Sequence, residues 1–145
     1  MTTHGASQVS KTSTPHDWFL ELLLSMVNDH GLNVGITLTV GGTQVSGELV
    51  SGAEFIKNFG STFSSALKRA GAGDAAASLQ AKYETMATQV YDAKKAEAAH
   101  EPLTFIHLRD ARIVGPNGVL QPPQIWWRGR LSEVQGWSLG LLNKE

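Results

Sequence analysis

The amino-acid sequence predicts an α+β fold, a small five-stranded antiparallel β-barrel with an N-terminal helix and a helical-hairpin insertion between strands two and three. Three observations predict it. Residues 34–50 alternate apolar and small or polar side chains around Gly41-Gly42, residues 52–100 switch to helical spacing, and residues 103–142 return to alternation interrupted by turn residues. A chain of 145 residues supports one such core, so residues 14–145 read as a single domain behind a disordered tail, 1–13. The tail is Thr/Ser-rich and lacks the apolar run of a secretory signal.

The first helix is announced by Thr14-Pro15-His16-Asp17, with Thr14 as cap and Pro15 at the first helical position, and should run to Gly31. Phe19, Leu22, Leu23, Met26 and Val27 make one apolar stripe, expected to face the core. Trp18, Leu20 and Leu24 widen it beyond what one surface covers, which calls for burial on a second side by the domain's own later helices or by another subunit. These three are the candidate self-association residues. In the following hairpin a two-residue Gly-Gly loop pairs Val40 with Thr43, Leu38 with Val45, Ile36 with Gly47 and Val34 with Leu49. Gly47 marks the place where the second strand bends, as a sheet curling into a barrel requires.

Ser51-Gly52-Ala53-Glu54 is a capping box opening the second helix, with stripe Phe55, Ile56, Phe59, Phe63 and Leu67. Gly71-Ala72-Gly73 breaks it, and Asp74 caps a third helix, Ala75 to about Ala99, with Leu79, Tyr83, Met86 and Val90 on a narrow line. The two form a projecting helical hairpin. In the third strand Ile106 and Leu108 lie on one parity and Ala111 and Ile113 on the other, which requires a bulge near Asp110. After a Pro/Gly-rich loop, Ile125, Trp127, Gly129 and Leu131 share one parity and Trp126, Arg128 and Arg130 the other. Trp127 is therefore expected in the core and Trp126 on the surface. A closing strand, about 136–142, should turn Trp137, Leu139 and Leu141 inward.

This element order, with a bent strand at Val45, Gly47 and Leu49 and the turn Trp127-Arg128-Gly129, resembles the Sm-like small barrel over residues 16–52 and 103–142. It departs from the Sm-like pattern after strand two, where a capped helix stands in place of the acidic and amide residues of the usual RNA pocket. A closer resemblance covers nearly the whole ordered chain. Gly31-Leu32, Val45-Ser46-Gly47, Ala53-Glu54-Phe55, Phe105-Ile106-His107-Leu108 and the run Trp127 to Val134, in that order, resemble the U type of gas vesicle accessory proteins, GvpU. The resemblance implies a non-enzymatic bacterial accessory role in vesicle organisation or clustering, gas vesicle proteins or the vesicle surface as partners, and homo-oligomerisation. The carboxyl end is short for that family, so clustering by weak multivalent contacts would rest on the amino-terminal tail, the insertion or self-assembly.

Read for chemistry, the residues agree with a binding role. A formal net charge of -1 gives nucleic acid no global attraction, and no window approaches the ~20 apolar residues of a membrane helix. The absence of cysteine removes disulfides and thiolate sites and fits a cytoplasmic location. The five histidines, His4, His16, His30, His100 and His107, show no metal-ligand spacing, and nothing assembles a nucleophile, base and orienting group, so neither metal, cofactor nor catalytic residue is expected. The sharpest constellation is Trp126, Arg128 and Arg130 on one face, with Arg109 or Arg112 adjacent across the sheet; these five and His107, which lies within the third strand, are the candidate partner-binding residues. Trp and Arg anchor protein interfaces; the same pair can hold a stacked base and its phosphate. A protein partner is the first reading and an Sm-like RNA-binding oligomer the alternative.

Overall fold

A computed structural model describes residues 17–91, 103–115 and 120–142. In chain order it comprises α1 (Trp18–His30), β1 (Val34–Val40), β2 (Thr43–Val50), α2 (Gly52–Arg69), α3 (Gly73–Tyr91), β3 (Phe105–Val114), β4 (Leu120–Arg130), a 3-10 turn at Leu131–Glu133, and β5 (Val134–Leu139). The tail at 1–13, Thr14-Pro15-His16, the end of the expected third helix and the centre of the Pro/Gly loop lie outside the described residues.

Asp17 begins α1. Its Oδ1 accepts from the backbone N–H groups of Phe19 at 2.9 Å and Leu20 at 3.3 Å, and its Oδ2 accepts from Trp137 Nε1 at 2.8 Å. One carboxylate thus satisfies orphan donors of the first turn and ties the helix to β5. Gly31, at φ 68°, ends the helix in the left-handed conformation glycine favours. The face of α1 turned to the sheet only partly matches the expected stripe: Val27 is buried and Leu23 packs on the core as read, but Leu20 and Leu24 join them while Phe19, Leu22 and Met26 are exposed. Both sides of this helix are apolar, so hydrophobicity alone does not choose between them.

The β1–β2 register is the one the Gly-Gly loop dictates, from Val40 opposite Thr43 to Val34 opposite Leu49. The expected bulge is also present. Asp110 has φ 51°, the one positive value at a non-glycine among the described residues, and the β2–β3 register shifts between Ser46 and Glu48. Gly47 faces it so closely that a Cβ there would lie 2.9 Å from Ala111 Cα and 3.1 Å from the Arg109 carbonyl oxygen. The core is then Leu20, Leu24 and Val27 of α1 against Ile36, Leu38, Val45, Leu49, Ile106, Leu108 and Ala111 of the sheet, with Leu131 beside them and Trp127 and Trp137 packed at its margin.

The strands are antiparallel in the order β4-β3-β2-β1-β5. Contrary to the barrel expectation, the sheet is not closed, and β4 and β5 are its edges. The chain leaves β5 at Gly140, whose φ of 108° suits glycine, and crosses β1 instead of continuing along β4. Gly140 N–H donates to the Gly35 carbonyl at 2.7 Å, Thr37 Oγ1 donates to the Gly140 carbonyl at 2.9 Å, and Leu142 N–H donates to Ser46 Oγ at 2.8 Å. Of the three residues expected on the inner face of the last strand, only Trp137 is drawn against the core; Leu139 and Leu141 are exposed.

The capping serine works as read: Ser51 Oγ accepts from Glu54 N–H at 3.1 Å. Asn28 Oδ1 accepts from Gly52 N–H at 3.0 Å, joining the end of α1 to the start of α2. The helices α2 and α3 pack on each other through small residues together with part of the expected aromatic line, Phe59 meeting Tyr83 edge-on with ring centroids 5.3 Å apart. Gly60, Ser64, Ala76 and Ala87 are buried, whereas Phe59, Phe63 and Met86 are exposed. A Cβ on Gly60 would come 2.6 Å from Tyr83 Cβ, so the absence of a side chain there sets the spacing of the helices. Helix α3 begins at Gly73, placing Asp74 in its first turn.

Gly47→Ala should lower the unfolding free energy by about 1–3 kcal/mol in urea, because its Cβ meets backbone atoms that cannot step aside. Gly136→Ala, with nothing within 4 Å of the added carbon, should leave stability within about 0.5 kcal/mol.

Candidate functional site

The bulge at Asp110 determines which side chains of β3 share a face. Arg112 stands opposite Ser46, Arg109 opposite Glu48 and His107 opposite Val50, so all three project from the face of the sheet opposite α1. Across the other ladder His107 pairs with Arg128 and Phe105 with Arg130. The constellation read from the sequence is therefore brought to one face, and Trp127 turns to the core from the other.

The structure also roofs the middle of this face. Helix α2, fixed at Ser51 and Asn28, lowers Glu54 and Phe55 onto β3. Arg109 Nη1 donates to Glu54 Oε2 at 2.9 Å and its Nε to Glu48 Oε1 at 2.7 Å. The hydrogen bond to Glu48, reinforced by both carboxylates, raises the Arg109 guanidinium above its ordinary range. Each of these half-exposed pairs contributes ~0–1 kcal/mol. Arg109 is thus committed to holding helix against sheet.

Phe55 covers His107, ring centroids 4.9 Å apart, and lies 6.2 Å from Trp126. His107 is 3% exposed, so this candidate partner residue is buried within its own chain. Burial, and then the charge of Arg128, push its pKa down to about 3, which keeps the imidazole neutral at physiological pH. Trp126 is half-buried beneath the same helix. Arg128 sets its guanidinium carbon 3.7 Å from the centre of the Phe105 ring and remains exposed, as does Arg130. Of the six expected partner residues, Arg128 and Arg130 are openly accessible, Trp126 and Arg112 partly, and Arg109 and His107 are engaged within the fold. Of the residues that engage them, Phe105 belongs to β3 and Glu48 to the paired β2, whereas Glu54 and Phe55 come from α2, whose contact with β3 no local pattern announces.

A second surface lies on α1. Leu20 and Leu24, expected to self-associate, are buried in the core of their own chain; of the three expected residues Trp18 alone is exposed, at 72%. It is joined by Phe19 at 56%, Leu22 at 52% and Met26 at 45%. Phe19 lies 5.6 Å from the Trp18 ring and 5.8 Å from that of Trp137, carrying the strip to the β5 edge. Among the described residues no group of three or more His, Cys, Asp or Glu is placed to hold a metal ion, and no helix is long and apolar enough to cross a membrane.

Residues 17–142 match a family described as gas vesicle protein GvpU-like. Neither a curated protein nor a solved structure matches the chain.

Because His107 is depressed in the folded chain, the unfolded state binds the extra proton first as pH falls. Its contribution to stability is complete above about pH 6.5 and is lost progressively down to about pH 3. The slope in that window should be up to ~1.4 kcal/mol per pH unit. Urea midpoints measured across the window should fall less steeply in His107→Phe than in the parent chain; parallel profiles would remove His107 as the source.

Proposed function

The chain belongs to the GvpU-like family of gas vesicle proteins, and from that premise we propose that it is a non-enzymatic accessory protein that organises or clusters gas vesicles in the cytoplasm through protein–protein contacts and self-association. The observation that carries this reading is the apolar strip of Trp18, Phe19, Leu22 and Met26, left in water on a helix whose other side is already buried. Apolar surface gains ~25 cal/mol for each Å² removed from water, and a contiguous exposed patch marks an interaction site.

Two further features support the reading. The strip reaches the β5 edge, where Leu139 is exposed and one side of the strand is open to pairing. Pairing of the β4 edge of one copy with the β5 edge of the next would join the two open ends of the sheet. The exposed Arg128 and Arg130, beside Phe105 and Trp126, supply a second contact surface for vesicle proteins. Against an RNA-binding ring weigh the covering of Trp126 by Phe55 and the engagement of Arg109 by two glutamates. Both subtract from a stacking and phosphate-binding surface.

Isolated gas vesicles mixed with the full chain should cluster. Phe19→Ser with Leu22→Ser, both at exposed positions, should raise the protein concentration needed by about tenfold or more. Trp126→Ala with Arg128→Ala should weaken clustering without lowering the self-associated mass. Clustering unchanged in both variants would overturn the assignment of these faces, and binding of single-stranded RNA that falls steeply with salt would favour the RNA reading.

A further inference from the structure

The crossing segment after β5 builds a second feature on the outer face of the sheet. Anchored by Gly140 and Leu142 to Gly35, Thr37 and Ser46, it lays Leu141 over Gly35, where the Leu141 Cγ sits 3.0 Å from the place a Cβ would occupy. Beyond Ser46 it forms one wall of a cavity of about 160 Å³. The walls are Leu141 and Leu142 of the crossing segment, Ser46 of β2, Asp110 and Arg112 of β3, and Gln124 of β4. A cavity of about 150 Å³ accommodates a molecule the size of benzene. This one has a similar volume but is open to solvent along Asp110, Gln124, Leu141 and Leu142, so it admits a small solute and not a folded partner.

Its chemistry is mixed in a particular way. Asp110 and Arg112 bring opposite charges to the same space. Among the described residues their side chains make no hydrogen bond or close ion pair with each other, and the Asp110 carboxylate adds only its charge to the field around Arg109. This contrasts with Arg109 a few residues away, which binds two carboxylates. Asp110 is held at φ 51°, in the left-handed region where side chains other than glycine are uncommon. The Gln124 amide adds donors and an acceptor, and the two leucines supply an apolar wall. We propose that this cavity binds a small zwitterion, an aliphatic α-amino acid, with its carboxylate on Arg112 and Gln124, its ammonium on Asp110 and its side chain against Leu141 and Leu142. The site is separate from the α1 strip; it lies on the same outer face as Trp126 and Arg128 and uses neither of them.

L-leucine titrated into the isotope-labelled full chain should give saturable amide shifts confined to residues 46, 110–112, 124 and 140–142. Isovalerate, which lacks the ammonium, and isoamylamine, which lacks the carboxylate, should each bind about tenfold more weakly or worse, one tenfold step being about 1.4 kcal/mol. Arg112→Gln should weaken leucine by a similar factor while leaving isoamylamine unaffected. Asp110→Gly keeps the backbone conformation the bulge needs and should abolish the preference for leucine over isovalerate. Absence of saturable shifts at roughly 10 mM leucine, or isovalerate binding the unaltered chain as tightly as leucine, would overturn the proposal. Both of those readings use the parent chain, so they stand whether or not a variant folds.

Discussion

The contact between Gly47 and Ala111 is the constraint on which the rest of the structure turns. With no Cβ on Gly47, β2 and β3 approach until only hydrogen fits between them, and β3 absorbs the approach by placing Asp110 in a bulge. The bulge resets side-chain parity within one strand. Leu108 and Ala111 both enter the core, and Arg109 and Arg112 both leave it on the opposite face. Without it, extending the strand in regular alternation from Leu108 would put Arg112 among the apolar side chains, where an unpaired guanidinium is strongly unfavourable. The core, the latch to α2 and the charged cavity therefore depend on the same few atoms.

The two faces of the sheet are covered by different means. One helix closes the inner face, using Leu20, Leu24 and Val27, and a single carboxylate, Asp17, fixes both its start and its attachment to Trp137. The outer face is covered in pieces, by the first turn of α2 over His107 and by the segment after Gly140 over Gly35 and Ser46. Polar partners hold both pieces down: Arg109 between two glutamates, and hydroxyls beneath the crossing chain. The uncovered surface includes an apolar strip on α1 and a cationic region around Arg128 and Arg130, beside exposed apolar residues on α2, α3 and the segment around Leu139–Leu142. An accessory role built on contacts draws on those two uncovered regions.

Much of the sheet was legible in the amino-acid sequence because its rules are local. A Gly-Gly loop fixes hairpin register, and a parity shift between Leu108 and Ala111 demands a bulge. The side of α1 that faces inward was not legible, since both sides are apolar and the sheet's shape selects between them. The part of Gly60, Ser64, Ala76 and Ala87 in helix packing was not legible for a related reason: close approach favours small side chains, whereas the hydrophobic stripes show only their share of the seam, the Phe59–Tyr83 contact. At the candidate site, parity put Trp126, Arg128 and Arg130 on one face, and the registers of β3 bring Arg109, Arg112 and His107 to the same face. It could not show that Phe55 and Glu54 arrive from a separate element to bury one and engage another.

The mass of the chain in solution decides whether the exposed side of α1 and the open edges bring copies together. Light scattering coupled to size exclusion, run over a range of protein concentrations, should give a mass that rises above the 15.6 kDa of one chain toward a whole-number multiple. A mass of 15.6 kDa at every concentration would contradict self-association and leave contacts with vesicle proteins as the only use for that surface.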